Sequence, residues 1–273
     1  MRRLFGQRGK RHNKLKSKKT FSRRHISAIC LVLIGTAFIS LGTFTLLRIF
    51  RENEEAQTEY DSIRAVFAFF DEISPERTLI SGSPGLGSVN EYSYEAEAIR
   101  RYSLDELLAL NSDFIGWFSI EDVIEYPIVR GRDNSRYLFT TFLGNRNPAG
   151  TIFMDYRHAN GFDEKITIVY GHNMRDGTMF AQVALYLEQG FKQSNQYIEI
   201  TTLDGRTLIY RVFDAVITDA WDMIYTLSVQ DPSQAVTMFR NAPSDAQNFL
   251  LLSTCTIGGD VDERILVYAA LVG

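Results

Sequence analysis

Residues 251–272 read LLSTCTIGGDVDERILVYAALV. Two apolar runs, LLSTC and RILVYAALV, flank a loop that holds Gly258, Gly259 and three acids. Such runs on either side of a glycine-containing loop predict two adjacent antiparallel strands. In that pairing the last residue of the first strand and the first of the second lie at the same end of the sheet. Cys255 and Arg264 therefore become neighbours through strand pairing, although a whole loop separates them in sequence.

The same kind of run recurs toward the N-terminus. FIGWFSI, EYPIVR, AGTIFMDY, KITIVYGH, QYIEITTLDG, RTLIYRVFDAVIT and NFLLLSTC precede RILVYAALV, each bounded by turn residues. About eight short strands in roughly 160 residues predict a mainly β barrel or sandwich rather than a βαβ sheet. LDG at 203–205 has hairpin-turn chemistry. The helix expected among the strands is DPSQAVTMFRNA, with Asp231 as cap and Pro232 in its first turn.

Charge divides the chain sharply. Of 29 Lys and Arg residues, eleven lie in residues 1–25 with no acid among them, which leaves 18 basic against 33 acidic side chains beyond. Residues 26–47, ISAICLVLIGTAFISLGTFTLL, carry no charge. A helix of that length spans the roughly 30 Å apolar core of a bilayer. It is longer than the apolar part of a cleaved signal peptide, and Arg48 and Arg51 follow where small residues would be expected. The positive-inside rule then predicts a cytoplasmic N-terminus and an exported body. The acidic body offers no basic groove for a nucleic acid.

Beyond the anchor, ENEEAQTEYDSIRAVFAFFDEI predicts a helix with Ile63, Val66, Phe67 and Phe70 on one stripe, closed by Pro75. Residues 74–93, rich in Ser, Gly and Pro, read as a linker. Ser103 and Glu106 have capping-box spacing for a second helix.

Cys30 falls within the apolar span, so Cys255 is the lone thiol of the exported part and has no partner for a disulfide there. A lone thiol is either an inert buried side chain or a reactive one. Alternation puts Phe249, Leu251, Ser253 and Cys255 on one face of their strand, and Ile166, Ile168, Tyr170 and His172 on one face of theirs. A cysteine near pKa 8.5 is only a few per cent thiolate at neutral pH, so a nearby imidazole is needed to take its proton. Arg264, permanently charged and rich in donors, suits the oxyanion formed when a thiolate attacks a carbonyl. Cys255, His172 and Arg264 together make an acyl-transfer site. Taken singly, each has a plainer reading: Cys255 as buried filler, His172 as a turn residue, Arg264 as a partner of Asp260 or Asp262. His158, in DYRHANG, reads as a solvated loop residue. No cluster has metal-ligand spacing, and no metal or other cofactor is expected.

Residues 111–158, YGHNMRDGTMFAQV at 170–183, and residues 251–272 together resemble the sortases, and within them class B. YGHNM followed by DGTMF, and LSTC with an arginine nine positions on, carry the resemblance jointly. It covers roughly residues 102–273. It implies a closed barrel of about eight strands with N-terminal helices and one helix in the long connection before the cysteine strand. It also implies a membrane-anchored cysteine transpeptidase at a Gram-positive-type cell surface. By motif position Cys255 matches the nucleophile, His172 the general acid and base, and Arg264 the oxyanion or substrate-orienting residue. Asn134, Leu138, Tyr170, Ser253 and Thr254 match groove positions, and Tyr225 matches more loosely. The implied partners are surface proteins with a C-terminal sorting signal of the Asn-Pro-X-Thr type and an amine of a peptidoglycan precursor.

The chain then divides into a basic cytoplasmic tip (1–25), a transmembrane anchor (26–50), an extracellular helix and linker (51–101) and a catalytic barrel (102–273). Two readings compete with a transpeptidase: a cysteine peptidase that releases the acyl group to water, and a non-enzymatic surface adhesin.

Overall fold

The computed structural model describes residues 23–72 and 104–272. The expected linker at 74–93, the Pro75 stop and the Ser103 cap lie outside the described residues. The chain falls into two compact units, Met1–Phe50 and Arg51–Gly273.

A single helix, α1, runs from Arg23 to Glu72. It contains a stretch within Cys30–Phe67 that is long and apolar enough to cross a membrane. That feature fits an N-terminal membrane anchor.

All eight expected strands form: β1 (Phe114–Ile120), β2 (Ile124–Val129), β3 (Ile152–Met154), β4 (Ile166–Tyr170), β5 (Tyr197–Thr202), β6 (Thr207–Asp219), β7 (Phe249–Cys255) and β8 (Glu263–Leu271). They close into a barrel in the order β1-β2-β3-β4-β7-β8-β6-β5. The β2/β3 and β4/β7 pairs are parallel and the others antiparallel. Closure removes the exposed sheet edges that would otherwise invite aggregation. Gly205 takes φ +83° in the β5–β6 turn, where Thr202 N–H donates to the Arg206 carbonyl, as the LDG motif requires.

Strand alternation separates two apolar clusters. Val169, Leu250, Leu252, Ile265 and Val267 belong to the main core inside the barrel. Ile166, Ile168, Phe249, Leu251 and Leu266 point the other way, into a second cluster with Ile224, Ala235 and Phe239 from the β6–β7 connection. That connection holds two short helices, Ile224–Gln230 and Pro232–Thr237. The helix expected over DPSQAVTMFRNA is thus shorter than its pattern, and another precedes it. Asp231 separates them with φ −143° and accepts from Gln234 N–H, while Pro232 lacks the N–H that would continue the first helix.

The part of α1 beyond Phe50 packs on the barrel. Ala56, Tyr60 and Ile63 are buried, and the Phe67 ring stacks on Trp117 with centroids 4.2 Å apart. Tyr60 donates to the Gly150 carbonyl at 2.5 Å. Glu59 accepts from Thr141 Oγ1, Leu143 N–H and Asn145 Nδ2 at 2.9, 2.9 and 3.0 Å. This carboxylate fastens the long β2–β3 crossover, from which two of the groove residues come.

Candidate active site

Register brings the site together. In the parallel β4/β7 pair Tyr170 lies opposite Ser253, so both strands end at the same rim, with His172 two residues past one end and Cys255 closing the other. In the antiparallel β7/β8 pair Cys255 lies opposite Arg264. By parity Cys255 shares the face of Leu251, and Arg264 that of Leu266. They therefore stand outside the barrel wall, beside the helical connection.

His172 sits on a loop rather than in a strand, yet the loop is fastened at several points. Gly171 N–H donates to the Ser253 carbonyl at 3.2 Å, and Thr254 Oγ1 donates to the Gly171 carbonyl at 2.8 Å. Asn173 Nδ2 donates to the carbonyl of Cys255 itself at 2.9 Å. Phe180 N–H caps the His172 carbonyl at 2.8 Å. A Cβ on Gly171 would lie 2.6 Å from Ile152 Cδ1 and from the Phe180 ring, so only glycine allows this close passage.

The ring of His172 is oriented by Leu138, whose carbonyl oxygen lies 2.7 Å from Nε2. A carbonyl can only accept, so Nε2 carries the proton and Nδ1 of the neutral ring keeps a lone pair. Arg264 Nη1 donates to the carbonyls of Val261 and Glu263 at 2.9 and 2.8 Å. That leaves its other N–H donors for the groove, and among the described residues no carboxylate pairs with it. Among the described residues, too, no hydrogen bond joins the Cys255 thiol to either group. Contacts of this kind often tighten only around bound substrate.

A groove of about 270 Å3 runs along this rim, lined by Asn134, Leu138, Phe153, Tyr170, Gly171, His172, Ser253, Thr254, Cys255 and Arg264. Eight of the nine expected site residues thus share one cavity. The ninth, Tyr225, lies just behind it and shares a 2.9 Å hydrogen bond with Ser253 Oγ. Burial, more than its neighbours, raises the Tyr225 hydroxyl above its usual pKa. Thr254 lines the groove while only 2% exposed, and its hydroxyl donates to the Gly171 carbonyl, so it also braces the histidine loop. A larger cavity, about 480 Å3, lies beyond the same loop between Arg64, Tyr126 and Gln182, but no cysteine or histidine lines it.

His158 corrects the reading of a solvated loop residue. It is 2% exposed, and its Nε2 accepts the Ile168 N–H at 3.1 Å. The turn chemistry of DYRHANG was legible, but not the fold of that turn back across β4. Asn173, Gly171 and Phe153 are site residues that spacing did not identify. Asn173 stood inside the YGHNM motif.

A closed barrel with a thiol, an imidazole and a guanidinium on one groove has the form of a cysteine-dependent acyl-transfer enzyme. The sortase domain family matches residues 119–272. Sortase B of Listeria monocytogenes is 47% identical over 186 residues, which cover 63% of this chain and 75% of that protein. A mutant form of Clostridium perfringens sortase B superposes with a TM-score of 0.63 at 25% identity, covering 79% of this chain and 97% of that one. A Staphylococcus aureus sortase B–substrate complex shares the fold, with a TM-score of 0.63 at 23% identity over 81% of this chain and 98% of that one. The chain belongs to the sortase family, and within it to class B. It is accordingly a cysteine transpeptidase that acts on surface proteins.

Proposed function

We infer that Cys255, His172 and Arg264 carry the reaction, and that the substrate is a C-terminal sorting signal of the Asn-Pro-X-Thr type. His172 takes the proton of the Cys255 thiol, and the resulting thiolate attacks the threonine carbonyl carbon. The oxyanion of the tetrahedral adduct faces Arg264, whose delocalised charge and remaining N–H donors suit it. As the C–N bond breaks, the departing amine takes a proton from His172, and a thioester remains on Cys255. An amine of a peptidoglycan precursor then attacks the thioester, His172 takes up the released proton and the thiolate leaves. Asn134, Leu138, Tyr170, Ser253 and Tyr225 hold the peptide in the groove, and Thr254 supports it through the histidine loop. No metal or cofactor enters any step.

Residues 1–25 stay in the cytoplasm, 26–50 cross the membrane, and 102–273 act outside it, with 51–101 between. The basic tip and uncharged span support that orientation. The single observation that carries the functional reading is the meeting of thiol, imidazole and guanidinium on one groove of a class B sortase fold.

Full-length protein in detergent, incubated with a peptide library built on Asn-Pro-X-Thr and an amine-bearing wall peptide, tests it. An amide between the threonine carbonyl and the added amine is the expected product. Hydrolysis alone at saturating amine would refute transfer. Intact peptides throughout, with other sequences cleaved, would refute the motif.

A further inference from the structure

The acyl-transfer steps make no use of a charged pair at the exit of β3, yet that pair touches the groove wall at two points. The side chain of Asp155 is 0% exposed. It accepts Arg157 Nε at 2.9 Å, Arg157 Nη2 at 2.7 Å, Arg157 N–H at 3.0 Å and the Tyr170 hydroxyl at 3.0 Å. Arg157 Nη2 donates as well to the main-chain carbonyl of Tyr225 at 3.0 Å. Tyr170 belongs to β4 and Tyr225 to the β6–β7 connection, and their rings stack with centroids 6.3 Å apart and planes 21° apart. Tyr225 in turn meets Ser253, two residues before Cys255.

We propose that Asp155 and Arg157 are positioning residues that latch the helical connection to the barrel and so set the width of the peptide groove. A buried ion pair adds little net stability compared with an apolar pair, but it imposes direction. Here one planar fork reaches a carboxylate and a distant carbonyl at once, which a point charge on a flexible stem cannot do. The latch acts on peptide binding through Tyr170 and Tyr225 and leaves the chemistry of the thiol alone. This inference rests on the groove being the peptide site.

The test uses full-length Arg157→Lys. Its KM for the sorting peptide should rise about tenfold while kcat stays within about twofold of wild type, the pattern of lost substrate binding. Alkylation of Cys255 by iodoacetamide should keep its wild-type rate. An unchanged KM in a folded Arg157→Lys protein would overturn the latch, as would a fall in kcat alone that tracks the titratable fraction of active sites, which is what a purely structural role gives. If that variant does not fold, the uncharged pair Asp155→Asn/Arg157→Gln replaces it, with the same KM rise expected and an unchanged KM equally fatal.

Amide exchange separates this inference from the functional reading. Even if wild type cleaved no sorting peptide, exchange over residues 224–230 should quicken about tenfold in Arg157→Lys, because local opening costs less once a tether is cut. Unchanged exchange there would refute the latch on its own.

Discussion

At the scale of single residues, Cys255 is half-buried at a strand end and carries little packing. Cys255→Ala should abolish peptide cleavage while amide exchange of the barrel core and the thermal midpoint stay near wild type. A variant that still cleaves would remove the thiol from the mechanism. Arg264→Lys keeps the charge but loses the planar fork, whose Nη1 serves the Val261 and Glu263 carbonyls while its other nitrogens stay available to the oxyanion. Loss of one oxyanion donor costs about 100-fold or more in kcat. A fall of that order in kcat/KM is expected, and full activity would show that charge alone suffices.

At the scale of elements, the histidine loop depends on close packing between Gly171 and its neighbours. Gly171→Ala inserts a methyl against Ile152 and Phe180, and overpacking of this kind costs about 1–3 kcal/mol. The loop is held by single hydrogen bonds to β7, Phe180 and Leu138 rather than by a strand ladder, so it should yield before the barrel does. Activity should fall at least tenfold with a loss of no more than about 3 kcal/mol in stability, read from denaturant midpoints and peptide kinetics on the same samples. Retained activity would mean that the loop tolerates displacement. Elements were also where sequence patterns read best. Alternation in 166–170 and 249–255 assigned faces correctly, because a strand's two-residue period follows from backbone geometry alone. The β6–β7 connection read less well: Asp231 and Pro232 open a helix as expected, but it ends at Thr237, and an unexpected helix over Ile224–Gln230 precedes it.

At the scale of the whole molecule, two buried groups tie stability to pH. His158 is held neutral by burial, and its Nε2 must stay unprotonated to accept the Ile168 N–H. Its folded pKa is depressed, so its stabilisation is complete above the unfolded value of about 6.5 and erodes as pH falls below it. Asp155 titrates lower: burial alone would raise it, but the hydrogen bonds and charge of Arg157 prevail and hold it at about 2. Its share, about 2 kcal/mol, is present above pH of about 4 and lost as pH falls through about 2. Denaturant midpoints from pH 8 to about 2 should therefore decline in two stages, and His158→Gln should flatten the first. A midpoint independent of pH between 7 and 5 in wild type would refute the role given to His158.

From the sequence alone followed the eight strands, the convergence of Cys255, His172 and Arg264 on one groove, and the apolar N-terminal span, because strand period, motif spacing and hydropathy are local properties of the chain. Tertiary structure alone decided that the face bearing Cys255 and Arg264 lies outside the barrel wall. It likewise decided that Thr254 and Asn173 brace the histidine loop, that His158 is buried, and that Asp155 accepts from Tyr170 while Arg157 donates to the Tyr225 carbonyl. Those outcomes depend on which distant segments pack together, and no local period records where a β3–β4 turn folds back or which carbonyl a guanidinium meets 68 residues away.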